Sequence, residues 1–242
     1  MSASPRLAVV VGGASGIGAA TVGLYRAEDI PVTVWDIAGA FDIHCDVSDP
    51  DSILRATEDT LDGVGVPDEL TVTAGIGRAG MLLDEPVDAW DRVIAVNTRG
   101  PWLVMRAMAR AMRDAGRPGS MVALSSISAR LVDPTMGLYC ASKAALSMLV
   151  HVAASEWGPI GIRVNAVGPG VTQTPMLGPA PTESGWLAGV RDRTPLGRLG
   201  QAEDIAAAVV AIHRLDWVTG QVVEVDGGLS MHSPINASGT RP

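Results

Sequence analysis

Apolar positions fall along this chain in two rhythms. Short β-branched runs, Leu7–Val11, Val32–Trp35, Ile43–Cys45, Leu70–Thr73, Met121–Leu124, Arg163–Val167 and Val222–Val225, read as strands. Most are separated by longer stretches with apolar residues at helical spacing: Ile17–Ala27, Trp90–Met112, Tyr139–Trp157 and Glu203–His213. Strands that are apolar throughout and divided by helices imply a parallel sheet covered on both faces. The expected architecture is one α/β domain over residues 1–230, a doubly wound seven-stranded parallel sheet with helices on both faces. A polar tail, residues 231–242, follows. One connection is short. Only Ile37 to Asp42 separate the second and third strands, where a helical crossover wants about a dozen residues, so a helix-free loop is expected.

Composition narrows the possible partners. The 242 residues include 18 basic and 26 acidic ones, for a formal net charge of −8 and a pI near 4.9. Nucleic acid is not expected, because phosphate contacts need clustered Lys and Arg and no basic stripe runs along the chain. Hydrophobic residues make up 47% and mean hydropathy is +0.26, ample for a core and unlike a disordered chain. The longest charge-free stretch, Val164 to Thr182, is broken by Gly168-Pro169-Gly170, Pro175, Pro179 and Pro181, so no membrane partner is expected. The first strand begins at Leu7 without signal-peptide architecture, and Cys45 and Cys140 make no disulfide framework. A cytoplasmic protein with free thiols is the expectation. His44, His151, His213 and His232 show no metal-ligand spacing, and no metal is expected.

The turn after the first strand carries chemistry. Gly12-Gly13-Ala14-Ser15-Gly16-Ile17-Gly18 lies between a strand and a helix, the context in which a glycine-rich turn cradles a pyrophosphate. Glycines let the backbone approach the phosphates, whose charge then sits at the helix N-terminus. Asp36 ends the second strand. A carboxylate there can accept both ribose hydroxyls of an adenosine and repels a 2′-phosphate. No Lys or Arg stands in the glycine loop or just after Asp36 to hold that phosphate, so NAD(H) is expected over NADP(H). Asp46 and Val47, after the third strand, are placed to meet the adenine.

The lysine count points to a second constellation. Of the 18 basic residues only one, Lys143, is a lysine, and one of the 2 tyrosines, Tyr139, precedes it by one helical turn. On a helix the two side chains share a face. Ser126 ends the fifth strand in Leu124-Ser125-Ser126. A tyrosine with an ordinary pKa of about 10 is a poor base at neutral pH, and a buried ammonium beside it favours the phenolate. It can then exchange a proton with an alcohol or carbonyl oxygen fixed by the serine hydroxyl. An arginine fork does not replace so compact a charge.

Together these motifs resemble the short-chain dehydrogenase/reductase family over essentially the whole chain. Its Gly-x-x-x-Gly-x-Gly matches Gly12, Gly16 and Gly18, and its Ser and Tyr-x-x-x-Lys match Ser126, Tyr139 and Lys143. Its helix asparagine matches Asn97, which the resemblance gives the task of holding a water that relays protons to the lysine. The Pro-Gly segment matches Pro169 and Gly170, followed by Thr172 and Thr174, with Thr174 on the nicotinamide carboxamide. The resemblance implies a Rossmann fold, NAD as cofactor and a homotetramer built through Trp90–Met112, Tyr139–Trp157 and Val222–Val225. It adds Ser15, Ile17, Ala74 and Gly75 to the cofactor contacts, and Tyr139 and Lys143 to the nicotinamide ribose side. Three departures stand out. Val11 replaces the usual threonine before the first glycine, Val72-Thr73-Ala74-Gly75 replaces Asn-Asn-Ala-Gly, and the loop after Asp36 lacks a helix. The first requires that a turn-fixing hydrogen bond be missing or supplied otherwise.

Substrate contacts are expected from Ile127, Ser128 and Met136 in the loop after Ser126, and from Met176, Leu177 and Trp186 in a lid-like segment reaching Gly200. This largely apolar lining suits a small-molecule hydrophobic secondary alcohol or its ketone. Arg78 and Arg130 are candidates to clamp a substrate carboxylate, with surface solvation the other reading of each. Rival readings are a cyclic diol or hydroxysteroid dehydrogenase and, from another class, a catalytically silent NAD-binding scaffold. The intact Ser126–Tyr139–Lys143 set argues against the scaffold, and a serine hydrolase lacks its Gly-x-Ser-x-Gly elbow.

Overall fold

Alternate residues of each strand face opposite layers, and this decides where every helix packs. In the computed structural model, which describes residues 6–178 and 185–231, β1 (Ala8–Val11) sends Val9 and Val11 into one buried cluster and Ala8 and Val10 into another. The larger cluster lies under α2 (Pro50–Gly63), α4 (Gly100–Asp114) and α5 (Gly137–Trp157), which contribute Ile53, Met105, Met108, Leu146 and Val150. On the other face α1 (Gly16–Ala27) and α7 (Ala202–His213) bring Val22, Tyr25, Ile205 and Val209.

The remaining strands are β2 (Val32–Asp36), β3 (Ile43–His44), β4 (Glu69–Val72), β5 (Gly119–Leu124), β6 (Ile162–Pro169), β7 (Thr172–Gln173), β8 (Gly200–Gln201) and β9 (Val222–Val225). Seven of the nine strands form a parallel sheet in the order β3-β2-β1-β4-β5-β6-β9. The doubly wound sheet read from the hydrophobic pattern is therefore present. Its order reverses between β1 and β4, and ligands of such sheets bind in the crevice beyond the strand ends at that point. β7 and β8 pair as a separate ribbon that the pattern does not announce, since two residues carry no period.

Two local features shape the site. The connection Ile37–Asp42 is helix-free, as its length requires; Asp42 closes it by bonding the Val34 backbone twice, N–H to carbonyl at 2.9 Å and carboxylate to N–H at 2.8 Å. The expected helix Trp90–Met112 begins earlier, as α3 (Val87–Ile94), and passes through a π-helical turn, Ala95–Arg99, before α4. Such turns often mark functional positions, and this one contains Asn97. α6 (Gly185–Arg193) follows the Thr174 segment. The expected tail falls outside the described residues beyond Met231, as does part of the expected lid, residues 179–184.

Candidate active site

The glycine loop is held open by close backbone packing. Gly12 has φ +80°, and a Cβ there would lie 2.6 Å from the Ala74 nitrogen. Gly16 has φ +51° and faces Thr174, whose Cβ is 3.4 Å from where a Gly16 Cβ would stand. Thr174 thus sits across the loop from the start of α1. The turn-fixing hydrogen bond that Val11 cannot make comes from the next strand: Thr73 Oγ1 donates to the carbonyls of Val11 at 2.9 Å and Gly12 at 3.0 Å. The departures at positions 11 and 73 compensate each other.

At the start of α1, Ser15 makes no side-chain capping bond and the first turn carries no acidic residue. Its backbone N–H groups and the positive end of the helix dipole are therefore open to an anion. Ile17 does not reach into the loop; it is buried against Ile205 and Val209 of α7 and anchors the helix behind it. Asp36 Oδ2 accepts from Ala14 N–H at 2.9 Å, and Oδ1 accepts from Ile37 N–H at 2.7 Å. This carboxylate is thereby fixed beside the loop. Asp46 Oδ1 accepts from the Ser48 backbone and hydroxyl at 2.8 and 2.7 Å, which holds its pKa below the usual aspartate value. Val47 next to it is buried. These residues fit a dinucleotide: a phosphate cradle, a ribose-facing carboxylate and an adenine wall.

The catalytic set gathers where β4, β5 and α5 meet. Ser126 caps a short 3-10 turn, Ile127–Ala129, and its Oγ accepts from Ser128 N–H at 3.1 Å. With that acceptor position filled, its own proton is free to point at an oxygen beyond. Burial pushes the Tyr139 pKa up, with smaller upward contributions from Cys140 and Asp133, while the neighbouring Ser126 hydroxyl pulls it down. The expectation that Lys143 lowers the tyrosine pKa is corrected here. The Lys143 Nζ stands 5.8 Å from the Tyr139 ring centroid and donates instead to the Leu124 carbonyl at 2.7 Å. Burial brings the Lys143 pKa down to about 8.

Lys143 is 3% exposed and has no ion-pair partner among the described residues. A buried ammonium with two uncommitted N–H groups suits the hydroxyls of a nicotinamide ribose. Gly75 borders it: a Cβ there would lie 3.5 Å from Nζ and 3.3 Å from Asn97 Oδ1. Asn97 is wholly buried, and its amide donates to the Ile76 carbonyl at 2.9 Å and to Ser142 Oγ at 3.1 Å while accepting from Ile76 N–H at 2.8 Å. Both donors are committed, so the side chain acts first as a positioning residue that ties the strand extension to α5. On the nicotinamide side, the segment from Pro169 turns at Gly170, where a Cβ would lie 2.7 Å from Asp226 Cβ, and Thr172 Oγ1 donates to the Gly170 carbonyl at 3.0 Å.

Of the expected substrate residues, Ile127 and Ser128 are buried beside Ser126, and Met136 precedes α5. Met176 reaches over Gly75, 3.9 Å from where its Cβ would be, at the mouth of the site. Leu177 packs instead with Leu187, Val190 and Leu199, so it anchors the lid segment, and Trp186 is 55% exposed on α6. Both arginine candidates are already engaged. Arg78 forks onto Glu85 at 2.7–3.1 Å, and Arg130 onto Glu224 at 2.8 Å through two N–H groups. Neither is free to clamp a carboxylate. The sequence reading also missed Asp133, which accepts from Ser128 Oγ at 2.5 Å. Its only signal was a lone carboxylate in the loop between Ser126 and Tyr139. Among the described residues no group of three His, Cys, Asp or Glu side chains is placed to hold a metal. One stretch, Gly137–Ile160, has the length and hydropathy of a membrane span, but its Lys143, Leu146 and Val150 are buried in the protein.

Known proteins share this arrangement. A family model described as enoyl-(acyl carrier protein) reductase matches residues 12–230. The (3R)-3-hydroxyacyl-CoA dehydrogenase of Canis lupus familiaris is 36% identical, covering 93% of this chain and 96% of its own. The cis-4-hydroxycyclohexanecarboxylate dehydrogenase of Sinomonas cyclohexanicum is 35% identical, covering 92% and 96%. A crystal structure of a short-chain type dehydrogenase/reductase from Mycobacterium marinum superposes with a TM-score of 0.84 at 29% identity, over 93% of this chain and 96% of that one. With the glycine cradle, the Ser126–Tyr139–Lys143 cluster and these matches in agreement, the chain belongs to the short-chain dehydrogenase/reductase family of oxidoreductases.

Proposed function

We propose that this protein interconverts a hydrophobic secondary alcohol and its ketone with NAD(H), Tyr139 acting as general acid/base. The observation that carries the reading is a buried lysine 5.8 Å from the Tyr139 ring, bonded to the end of β5 just before Ser126 and, among the described residues, without a counter-ion. When bound, the nicotinamide supplies the hydride acceptor or donor. The chain does the rest. The free proton of Ser126 holds the substrate oxygen, and Tyr139 takes its proton during oxidation or returns it during reduction. Lys143 holds the ribose through the N–H groups that the Leu124 carbonyl leaves free. Asn97 keeps α5 and the Ile76 backbone in register, so that Lys143 stays next to Gly75.

NAD over NADP is supported by the fixed carboxylate of Asp36 and by the absence of Lys and Arg from Ile37 to Asp42. Asp36→Ala should lower the NAD/NADP ratio of kcat/KM by about tenfold or more, since it removes the charge that repels a 2′-phosphate. The names of the canine and Sinomonas relatives, both dehydrogenases of hydroxy compounds, favour an alcohol as substrate. A homotetramer is supported by unpartnered apolar side chains on the expected interface elements, Trp90, Met148 and Val152, and by β9, whose outer edge carries the exposed Val223.

The test is absorbance at 340 nm with NAD or NADP and a panel of alcohols and ketones. Tyr139→Phe should lose about a thousandfold in kcat while keeping its affinity for NADH. Turnover by Tyr139→Phe at the wild-type rate sinks the assignment. Cofactor binding by the wild type without turnover on any substrate favours the silent scaffold.

A further inference from the structure

Beside Ser126 stands a polar pair that the proposed reaction leaves unused. Ser128 is 8% exposed, its N–H fixes Ser126 Oγ at 3.1 Å, and its hydroxyl donates to Asp133 Oδ2 at 2.5 Å. With its proton committed to Asp133, Ser128 Oγ has lone pairs left to accept a hydrogen bond. Asp133 is half-buried, and among the described residues Ser128 is its one side-chain donor and no cation pairs with it. Ser128 thus stands beside Ser126, the residue that holds the reacting oxygen in the proposed reaction, with the Asp133 carboxylate one hydrogen bond further. The backbone keeps them there. Gly80 N–H donates to the Thr135 carbonyl at 2.7 Å, Gly80 bridges to Met136, and Thr135 is held at φ +70°, a strained conformation for a branched residue.

Charge sharpens the reading. Arg78 and Arg130 are each neutralised by a forked carboxylate, so of the charged side chains expected on the substrate side, among the described residues, only Lys143 is a cation without a counter-ion. An anionic substituent next to the reacting carbon would meet Asp133 with nothing to offset it. A hydroxyl there would donate to Ser128 or Asp133 and bury its polarity. The other residues expected on the substrate side, Ile127, Met136 and Met176, are apolar.

Building on the alcohol dehydrogenase reading, we infer that Ser128 and Asp133 form a second hydroxyl subsite, and that the substrate is a neutral vicinal diol, or in reverse an α-hydroxyketone, on an apolar carbon frame. One carbinol lies on Ser126 and Tyr139 and is oxidised; its neighbour donates to the Ser128–Asp133 pair and is left unchanged.

The experiment compares cis-1,2-cyclohexanediol, cyclohexanol and 2-hydroxycyclohexanecarboxylate as substrates with NAD, in the wild type, Asp133→Asn and Ser128→Ala. Expected is a kcat/KM order of diol above cyclohexanol above hydroxy acid. Asp133→Asn and Ser128→Ala should each lower the diol-to-cyclohexanol ratio at least tenfold, and Asp133→Asn should raise the hydroxy acid relative to cyclohexanol. A binding readout accompanies it: quenching of tryptophan fluorescence by 2-hydroxycyclohexanone in the presence of NAD, weakened by both substitutions. If the pair only braces its loop, the variants lose activity on diol and cyclohexanol in parallel with the ratio unchanged, which overturns the inference. Equal use of the diol and cyclohexanol by the wild type also overturns it, and leaves the alcohol dehydrogenase reading standing. No NADH from any of the three overturns that parent reading, and the inference with it.

Discussion

Lys143 and His213 are buried alike, 3% and 4% exposed, and burial drives both pKa values down, to about 8 and about 3. Their surroundings differ. His213, at the end of α7, has Nε2 3.0 Å from Thr71 Oγ1 and Nδ1 2.9 Å from Ser120 Oγ, so both ring nitrogens are satisfied by the sheet. Lys143 has one acceptor, the Leu124 carbonyl, and N–H groups to spare. A buried polar group with every bond made belongs to the scaffold. One left short of partners is being kept for a ligand, and its perturbed pKa marks a site. The contrast also divides the sheet: His213 braces the α7 face, whereas Lys143 lies where α5 meets the strand ends that face the cofactor.

The largest effect that could break this contrast is the activity of Lys143→Met. It should lose about a hundredfold or more in turnover, yet its urea midpoint should equal or exceed the wild type's, because an uncompensated buried charge is removed. A lower midpoint would make Lys143 structural after all. His213→Ala should do the reverse. Leaving Thr71 and Ser120 unpaired around a cavity should cost about 2–4 kcal/mol in chemical denaturation, while kcat/KM stays within about threefold. Loss of activity without loss of stability there would erase the distinction.

The last test is in pH dependence and separates the two groups on one protein. The His213 pKa is lowered on folding, so below its ordinary value the unfolded chain binds a proton that the folded one refuses. Stability should therefore fall as pH drops from about 6.5 towards 3, and His213→Ala should flatten that slope. Lys143 is lowered too, so the cost of burying its charge is present below about 8 and fades as pH rises towards the ordinary lysine value. Lys143→Met should remove the alkaline rise. Unfolding midpoints across the two windows decide both.

Much of this was legible in the sequence because the informative spacings are local. Tyr139 and Lys143 lie one helical turn apart, and the glycine loop follows its strand directly. Asp36 and Ser126 sit at strand ends, where a doubly wound sheet puts chemistry. What stayed hidden depends on contacts between distant segments. Leu124 binds Lys143 through a carbonyl, which no side chain announces. The π-helical turn at Asn97 carries the same apolar spacing as the helix around it. Arg78 and Arg130 resembled substrate clamps until their partners, Glu85 and Glu224, came into view. The upward shift of the tyrosine pKa comes first from burial, which the spacing to Lys143 does not announce.

The hydroxyl that fixes the glycine turn comes from Thr73, just past β4, while Val11 at the end of β1 offers none. The two positions therefore act as one unit. With valine at 11, removing the Thr73 hydroxyl leaves the Gly12 turn without that bond, whereas a threonine at 11 would make it redundant, so the effect of either substitution depends on what stands at the other.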